Sequence, residues 1–227
     1  MQFKDQFVLD KLLFIKELYK KFLVIYPRYT VVTVLILFGL AMANYGGGTI
    51  INPEEVGHDF LRNFLSDLGK FNSGNMVSMV LFSSALIIVG ILFSGHFYYF
   101  MKLYPIDRPI GWIVRIGCTI GIFGSICFAG VGLTPHNVLS QPHIFFVNWA
   151  FRSFLVTAIL ISITIFMDKR FLFRYGIGYV LFAVMIFFYI LVLEYGPDPK
   201  GSDFALVFSV FAQKIIIFVF MLSVCFQ

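Results

Sequence analysis

The chain has 227 residues, 59% of them hydrophobic and only 13% charged, and its mean hydropathy is +0.90. A water-soluble domain has no use for that much apolar side chain, and several runs are long enough to cross the hydrocarbon core of a bilayer. The net charge of +5 gathers at the ends of those runs, where it sets topology, so it does not argue for nucleic acid as a partner.

The apolar runs predict six spanning helices near residues 29–45, 76–95, 110–132, 143–167, 172–193 and 204–226. The expected fold class is therefore an all-α integral membrane bundle of six helices. Residues 1–28 form a basic segment ahead of a membrane domain covering 29–227. Six spans put both termini on one side. That side carries Lys4, Lys11, Lys16, Lys20, Lys21, Arg28, Lys102, Arg108, Lys169, Arg170 and Arg174, against Arg62, Lys70 and Lys200 on the other. Lys and Arg mark the cytoplasm, so both termini are expected there, in a plasma or inner membrane rather than an organelle. Loops near 46–75, 133–142 and 194–203 then face outward.

Residues 3–23 interleave Phe7, Leu12, Phe14, Ile15, Leu18 and Phe22 with lysines. This predicts an amphipathic helix lying on the cytoplasmic leaflet. Ala41-Met42-Ala43 looks like a signal-peptidase site, but the charged region before it is too long, and an uncleaved anchor is expected. The 30 phenylalanines are read as lipid-facing composition. Cys118, Cys127 and Cys225 lie in apolar runs without metal-type spacing and are read as small hydrophobes.

After the first span Gly46-Gly47-Gly48 breaks the helix, and Asn52-Pro53-Glu54-Glu55 has the composition of a helix start. Gly69 fits the stop. Between them Phe60, Leu61, Phe64, Leu65 and Leu68 fall on one face, and His58, Asp59, Arg62, Asn63, Ser66 and Asp67 on the other. The pattern predicts an interfacial helix of about four turns. Asp67, at its last turn, would face the negative dipole end and require a cation, a metal, a turn amide or a proton.

In the third span Gly117, Gly121, Ser125 and Ala129 recur four apart, which marks a central helix and offers a face for self-association. His136 and His143 flank the next outer loop, with His143 near a helix N-terminus that favours neutral imidazole. Arg152 lies about 13 Å deeper in the fourth span, with Asn148 on its face, and Lys214 lies near mid-membrane in the sixth beside Gln213. Cations at such depth need an inward partner, for which Asp59, Asp67, Glu194 or a lipid phosphate are available. His96 falls on the cytoplasmic side and is read as inert.

Arg62-Asn63-Phe64-Leu65-Ser66-Asp67-Leu68-Gly69 with Asn75, and Gly130-Val131-Gly132-Leu133-Thr134-Pro135 with His143 and Phe151, resemble the pattern of the domain of unknown function 998 family. The Ser-Asp-x-Gly element is also similar to one in the damage-regulated autophagy modulator proteins and their relatives in GPI-lipid remodelling. Thr134, where an aromatic is usual, and the extra His136 depart from the pattern. The resemblance spans roughly residues 30–195 and implies a six-helix architecture with a polar cluster at the outer face; it implies no activity.

Two functions follow. In the first, a non-enzymatic protein for lipid-headgroup handling or membrane scaffolding, membrane lipids are the partner. His58, Asp59, Arg62, Asn63, His136, Asn148, Arg152 and Lys214 form a binding face, and the two deep cations hold a headgroup phosphate. In the second, a membrane-embedded hydrolase uses Asp67, Ser66 and His143 for catalysis, with zinc on His58, His136 and His143. No histidine pair has the i, i+3 or i, i+4 spacing of a strong metal motif. A transporter lacks its matched pair of broken helices, and Ser66 is not in the strand-to-helix elbow of a serine hydrolase.

Overall fold

The computed structural model describes residues 13–225, without the side chain of Cys225. Among these residues there is no strand, and six helices are long and apolar enough to cross a bilayer: α1 (Tyr26–Ala43), α2 (Met76–Lys102), α3 (Pro109–Leu133), α4 (Ser140–Met167), α5 (Phe173–Tyr195) and α6 (Asp203–Cys225). By the length and composition of its helices this is a multi-pass membrane protein. The helices pack in chain order, each against the next, and α6 returns to touch α1. Loops 44–75, 134–139 and 196–202 gather at one end, here called distal; the described parts of both termini lie at the other.

Each helix begins and ends for local reasons. Pro109 occupies a first-turn position of α3, where a missing N–H costs nothing, while Pro27 follows a π-helical turn inside a longer helix, Leu13–Ala43. The Asn44 amide donates to the Leu40 carbonyl at 2.8 Å and closes α1. The core pair is α3 and α4, whose most apolar windows are each 56% buried, against 28–39% in the others. Small residues bring α3 into contact with its neighbours. A Cβ at Gly90 of α2 would meet the Ala129 methyl at 2.7 Å and the Ser125 carbonyl at 2.9 Å, and one at Gly121 would meet the Phe97 ring at 2.9 Å. Ser83 donates to the Gly132 carbonyl at 2.6 Å and Thr157 to that of Gly117 at 3.1 Å, tying α2 and α4 to α3 through backbone. The face expected to drive self-association, Gly117, Gly121 and Ser125, is thus buried within the chain, and the centre is shared with α4.

Four expectations are corrected here. The phenylalanines are not only lipid-facing: Phe220 sits 5.3–6.0 Å from the rings of Phe93, Phe128, Phe154 and Phe182 at the bundle centre. The described part of the basic segment is no separate interfacial helix. It continues into the first span as one helix, Leu13–Ala43, through a π-helical turn at Lys21–Ile25; residues 3–12 of that segment lie outside the described residues. His96 is buried in α2 and donates from Nδ1 to the Phe22 carbonyl of that turn at 3.2 Å.

The fourth correction is the largest. Residues 52–69 are an irregular loop ending in a 3-10 turn, Leu65–Gly69. The polar residues read as a helix face instead bond to backbone. Asn52 Oδ1 accepts the Glu54 amide at 3.2 Å, and Asp59 Oδ1 accepts those of Leu61 at 2.8 Å and Arg62 at 3.2 Å. Such oxygens compete with helical hydrogen bonds and favour turns. Gly47, at φ +114°, lets the loop fold back. Its Cβ would lie 2.1 Å from the Glu55 carbonyl, and the neighbouring Gly48 amide donates to that carbonyl at 2.8 Å.

Candidate functional site

Asp67 organises the distal end. It is 1% exposed, and its carboxylate accepts four donors. Oδ2 takes the Phe64 amide at 2.9 Å and the Asn63 amide at 3.2 Å, while Oδ1 takes Lys70 Nζ and His136 Nε2, each at 3.1 Å. It stands third in the 3-10 turn rather than at the end of a long helix, so it meets free N–H groups and not the negative dipole end. Of the four supports expected for it, a cation and a turn amide are present.

Asn63, fully buried, extends the network. Its Nδ2 also donates to the Gly48 carbonyl at 2.8 Å, its Oδ1 accepts the Asp59 amide at 2.9 Å, and its carbonyl accepts Lys214 Nζ at 2.7 Å. Lys214 donates to the Phe60 carbonyl as well, at 2.7 Å, and stands over the Phe60 ring. The hydrogen-bond partners of this deep cation are therefore loop carbonyls rather than a carboxylate. Beside it Gln213 Oε1 accepts the Leu65 amide at 2.7 Å, and the same side chain bonds Tyr189 of α5. The loop is stitched to α6 by two adjacent residues, as buried backbone groups require.

His136 reaches Asp67 from the loop between α3 and α4. Burial holds its pKa below the usual imidazole value despite the attraction of Asp67, while His143 and Lys70 push the same way as burial. The ring is neutral, donates from Nε2, and leaves Nδ1 as a buried lone pair with no partner. His143 stands with its ring 5.8 Å from that of His136 and donates from Nδ1 to the Thr134 carbonyl at 2.6 Å, leaving its own Nε2 as an acceptor. Burial opposes the charge on Lys70, but Asp67 and Tyr45 outweigh it and keep the ammonium above its usual range. The Tyr45 hydroxyl accepts from Lys70 at 3.3 Å and donates to the Gly48 carbonyl at 2.9 Å.

Asp67, Asn63, His136, His143 and Lys214 thus come together as one network. Ser66 joins by another route: with His143 and Gln213 it lines a cavity of about 50 Å³ beneath the turn, whose other walls are apolar, including Phe38, Leu86, Phe128 and Ile217. No family profile, curated protein or solved structure matches the chain.

Other expected members stand apart. His58 packs its ring against Tyr45 and Phe60, 5.9 and 6.5 Å away, and its Nε2 is buried without a partner; burial lowers its pKa too. Asp59 and Arg62 form a rim pair at 3.1 Å, and Arg62 extends to Asp203 at 2.6 Å. Arg152 is paired with Glu194 and with the Asn148 carbonyl, away from the network. Both cations assigned to a headgroup phosphate are therefore engaged within the chain. The zinc reading is corrected as well. Among the described residues no three His, Cys, Asp or Glu side chains are grouped to hold a metal, and His143 spends Nδ1 on a carbonyl while His58 faces Tyr45. Tyr45 and Lys70 were not anticipated as members. Gln213 carried a signal, a polar residue beside Lys214 inside an apolar span.

Proposed function

We propose that this is a lipid-handling membrane protein with both termini in the cytoplasm, whose outward face meets the polar end of an amphiphile. The observation that carries this reading is the cavity below Ser66, His143 and Gln213. It shares Phe38, Leu86, Phe128 and Ile217 with a second cavity of about 30 Å³ that runs on between α1, α2 and α6 and is lined by apolar side chains apart from Thr30, whose hydroxyl is bonded to the Tyr26 carbonyl. A polar end over an apolar continuation suits an amphiphile. In this closed form the volumes take headgroup atoms or a few waters, and a chain enters as α6 parts from α1, the two spans joined by no loop. The orientation follows from Lys and Arg at the terminal end, and the membrane is a plasma or inner membrane. The short motifs that resemble those of the domain of unknown function 998 family are consistent with the same six-span plan.

A photoactivatable phospholipid analogue tests this. Labelled peptides are expected from the α1–α6 seam, and Ile217→Trp, which fills both cavities, abolishes that labelling. Equal labelling of every lipid-facing helix, unaltered by the variant, sinks the reading.

A second reading, metal-free ester hydrolysis, rests on the Asp67–His136 pair beside His143. A carboxylate that fixes the tautomer of a neutral imidazole leaves a basic nitrogen available, and Ser66 or a cavity water supplies the hydroxyl. Its test is covalent labelling by a fluorophosphonate: loss of label in Ser66→Ala supports it, and absence of label in the intact protein removes the serine route.

A further inference from the structure

A second, larger hollow lies far from the distal network. It is a groove of about 530 Å³ between α5 and α6 at the terminal end. Its floor is Gly178, where an added Cβ would meet nothing within 4 Å, and its walls include Leu181, Val219 and Leu222. Leu181 is 60% exposed, so the groove opens sideways on the bundle surface. Volumes of this size are typical of small-molecule sites, and lipid fills a groove on a membrane-facing surface.

One polar feature distinguishes this groove from ordinary lipid-facing roughness. Arg174 lines its mouth, one residue into α5, exposed and stacked at 5.3 Å over the Tyr175 ring. Among the described residues Arg174 has no carboxylate within ion-pair distance. The acid of the adjoining turn, Asp168, is taken by Arg170 at 2.7 Å, which with a bond from Tyr104 holds its carboxyl down to about 2. Lys169 adds a second cation to the same turn, also without an acidic partner among the described residues. Positive charge at the membrane surface, unmatched by protein and adjacent to an apolar slot, is complementary to a phosphate with a chain attached.

The geometry points to a binding site for one anionic phospholipid, its phosphate on Arg174 and an acyl chain lying along Gly178 between α5 and α6. The lipid comes from the leaflet on the terminal side. The site is separate from the distal network and stands whether or not the seam of α1 and α6 binds an amphiphile. A second copy of the chain is the competing occupant, and the oligomeric state of the Gly178 variants distinguishes it from lipid.

The test is native mass spectrometry of the full chain released from nanodiscs of mixed phosphatidylglycerol and phosphatidylcholine. The intact protein is expected to retain one phosphatidylglycerol in preference to phosphatidylcholine. Arg174→Gln, an exposed change in a residue without an ion pair, is expected to reduce that preference about tenfold, in line with loss of a charge-assisted contact. Gly178→Phe fills the groove and is expected to lose the retained lipid of either kind, with Gly178→Ala showing intermediate loss should the larger ring impair folding. Lys200→Gln, at the distal end, is expected to change nothing. Retention of phosphatidylglycerol at intact-protein levels in Arg174→Gln overturns the headgroup assignment. Unchanged retention in both Gly178 variants overturns the groove as the chain site. A shift from dimer to monomer in Gly178→Phe without any change in lipid overturns the proposal in favour of self-association.

Discussion

Replacing Asp67 with alanine removes an acceptor that four donors share. The Phe64 amide and the Asn63 side chain lose a partner inside the protein, and Lys70, a half-buried cation, loses its counter-charge. An unsatisfied buried donor costs about 1–3 kcal/mol, and breaking a buried charge pair by removing one member costs about 3–5 kcal/mol. The terms overlap, since the same cavity relaxes once, so the expected loss is about 3–5 kcal/mol. For a chain of this size each kcal/mol lowers the melting temperature by about 2–4 °C, giving a drop of roughly 6–20 °C. Asp67→Asn keeps the volume and one carbonyl, turns an NH₂ toward two of the donors, and should fall between the two. The assay is thermal unfolding of detergent-purified protein followed by intrinsic fluorescence, with size-exclusion recovery as a second readout. An Asp67→Ala protein that melts within about 2 °C of the parent contradicts the claim that this carboxylate holds the distal loops together.

Three further outcomes are expected. Gly90→Ala drives a methyl into the Ala129 side chain and the Ser125 carbonyl, so the α2–α3 crossing must open, at about 1–3 kcal/mol by the same assay; an unchanged melting temperature refutes the tight crossing. Acidification should destabilise the protein. His58 and His136 have folded-state pKa values lowered by burial, so the unfolded chain binds more protons as pH falls below about 6.5, and stability present above that value is lost through the lowered pKa values. The double variant His58→Gln, His136→Gln should flatten the fall in melting temperature between pH 7 and 5; an unaltered slope contradicts the assignment. Arg62→Ala breaks a partly exposed pair with Asp59 and an exposed one with Asp203 and should lower the melting temperature by no more than about 2–4 °C, a larger fall showing that the rim is structural.

The spans were legible in hydropathy alone because a helix must satisfy its own backbone in lipid. The convergence of Asp67, His136 and His143 was legible as well, since span parity puts their loops at one end. The form of residues 52–69 was not. An Asn or Asp offers the same pattern whether its oxygen points to solvent from a helix or captures a nearby amide, and Asn52 and Asp59 capture amides. Of the deep cations, Arg152 is paired with Glu194, one of the acids expected to be available, but Lys214 misled for a related reason. Charge counting looks for carboxylates, whereas Lys214 is met by the carbonyls of Phe60 and Asn63, which no composition reveals. Tyr45 gave no sign of its place between Lys70 and Gly48. The phenylalanines of the bundle centre were indistinguishable by type from those that face lipid.

The claim beneath all of this is that loops distant in sequence close together as one roof at the distal end. Phe71 and Asn137 exchange two hydrogen bonds there, at 2.9 and 3.0 Å, and both are exposed. With the three native cysteines replaced, a Phe71→Cys, Asn137→Cys protein in sealed vesicles can be treated with a short, membrane-impermeant bis-maleimide. A cross-linked peptide joining positions 71 and 137 is expected, formed from the side opposite the termini, with none for a pair at positions 71 and 169. Reaction of the two positions from opposite sides, or no joined peptide at all, would contradict the account.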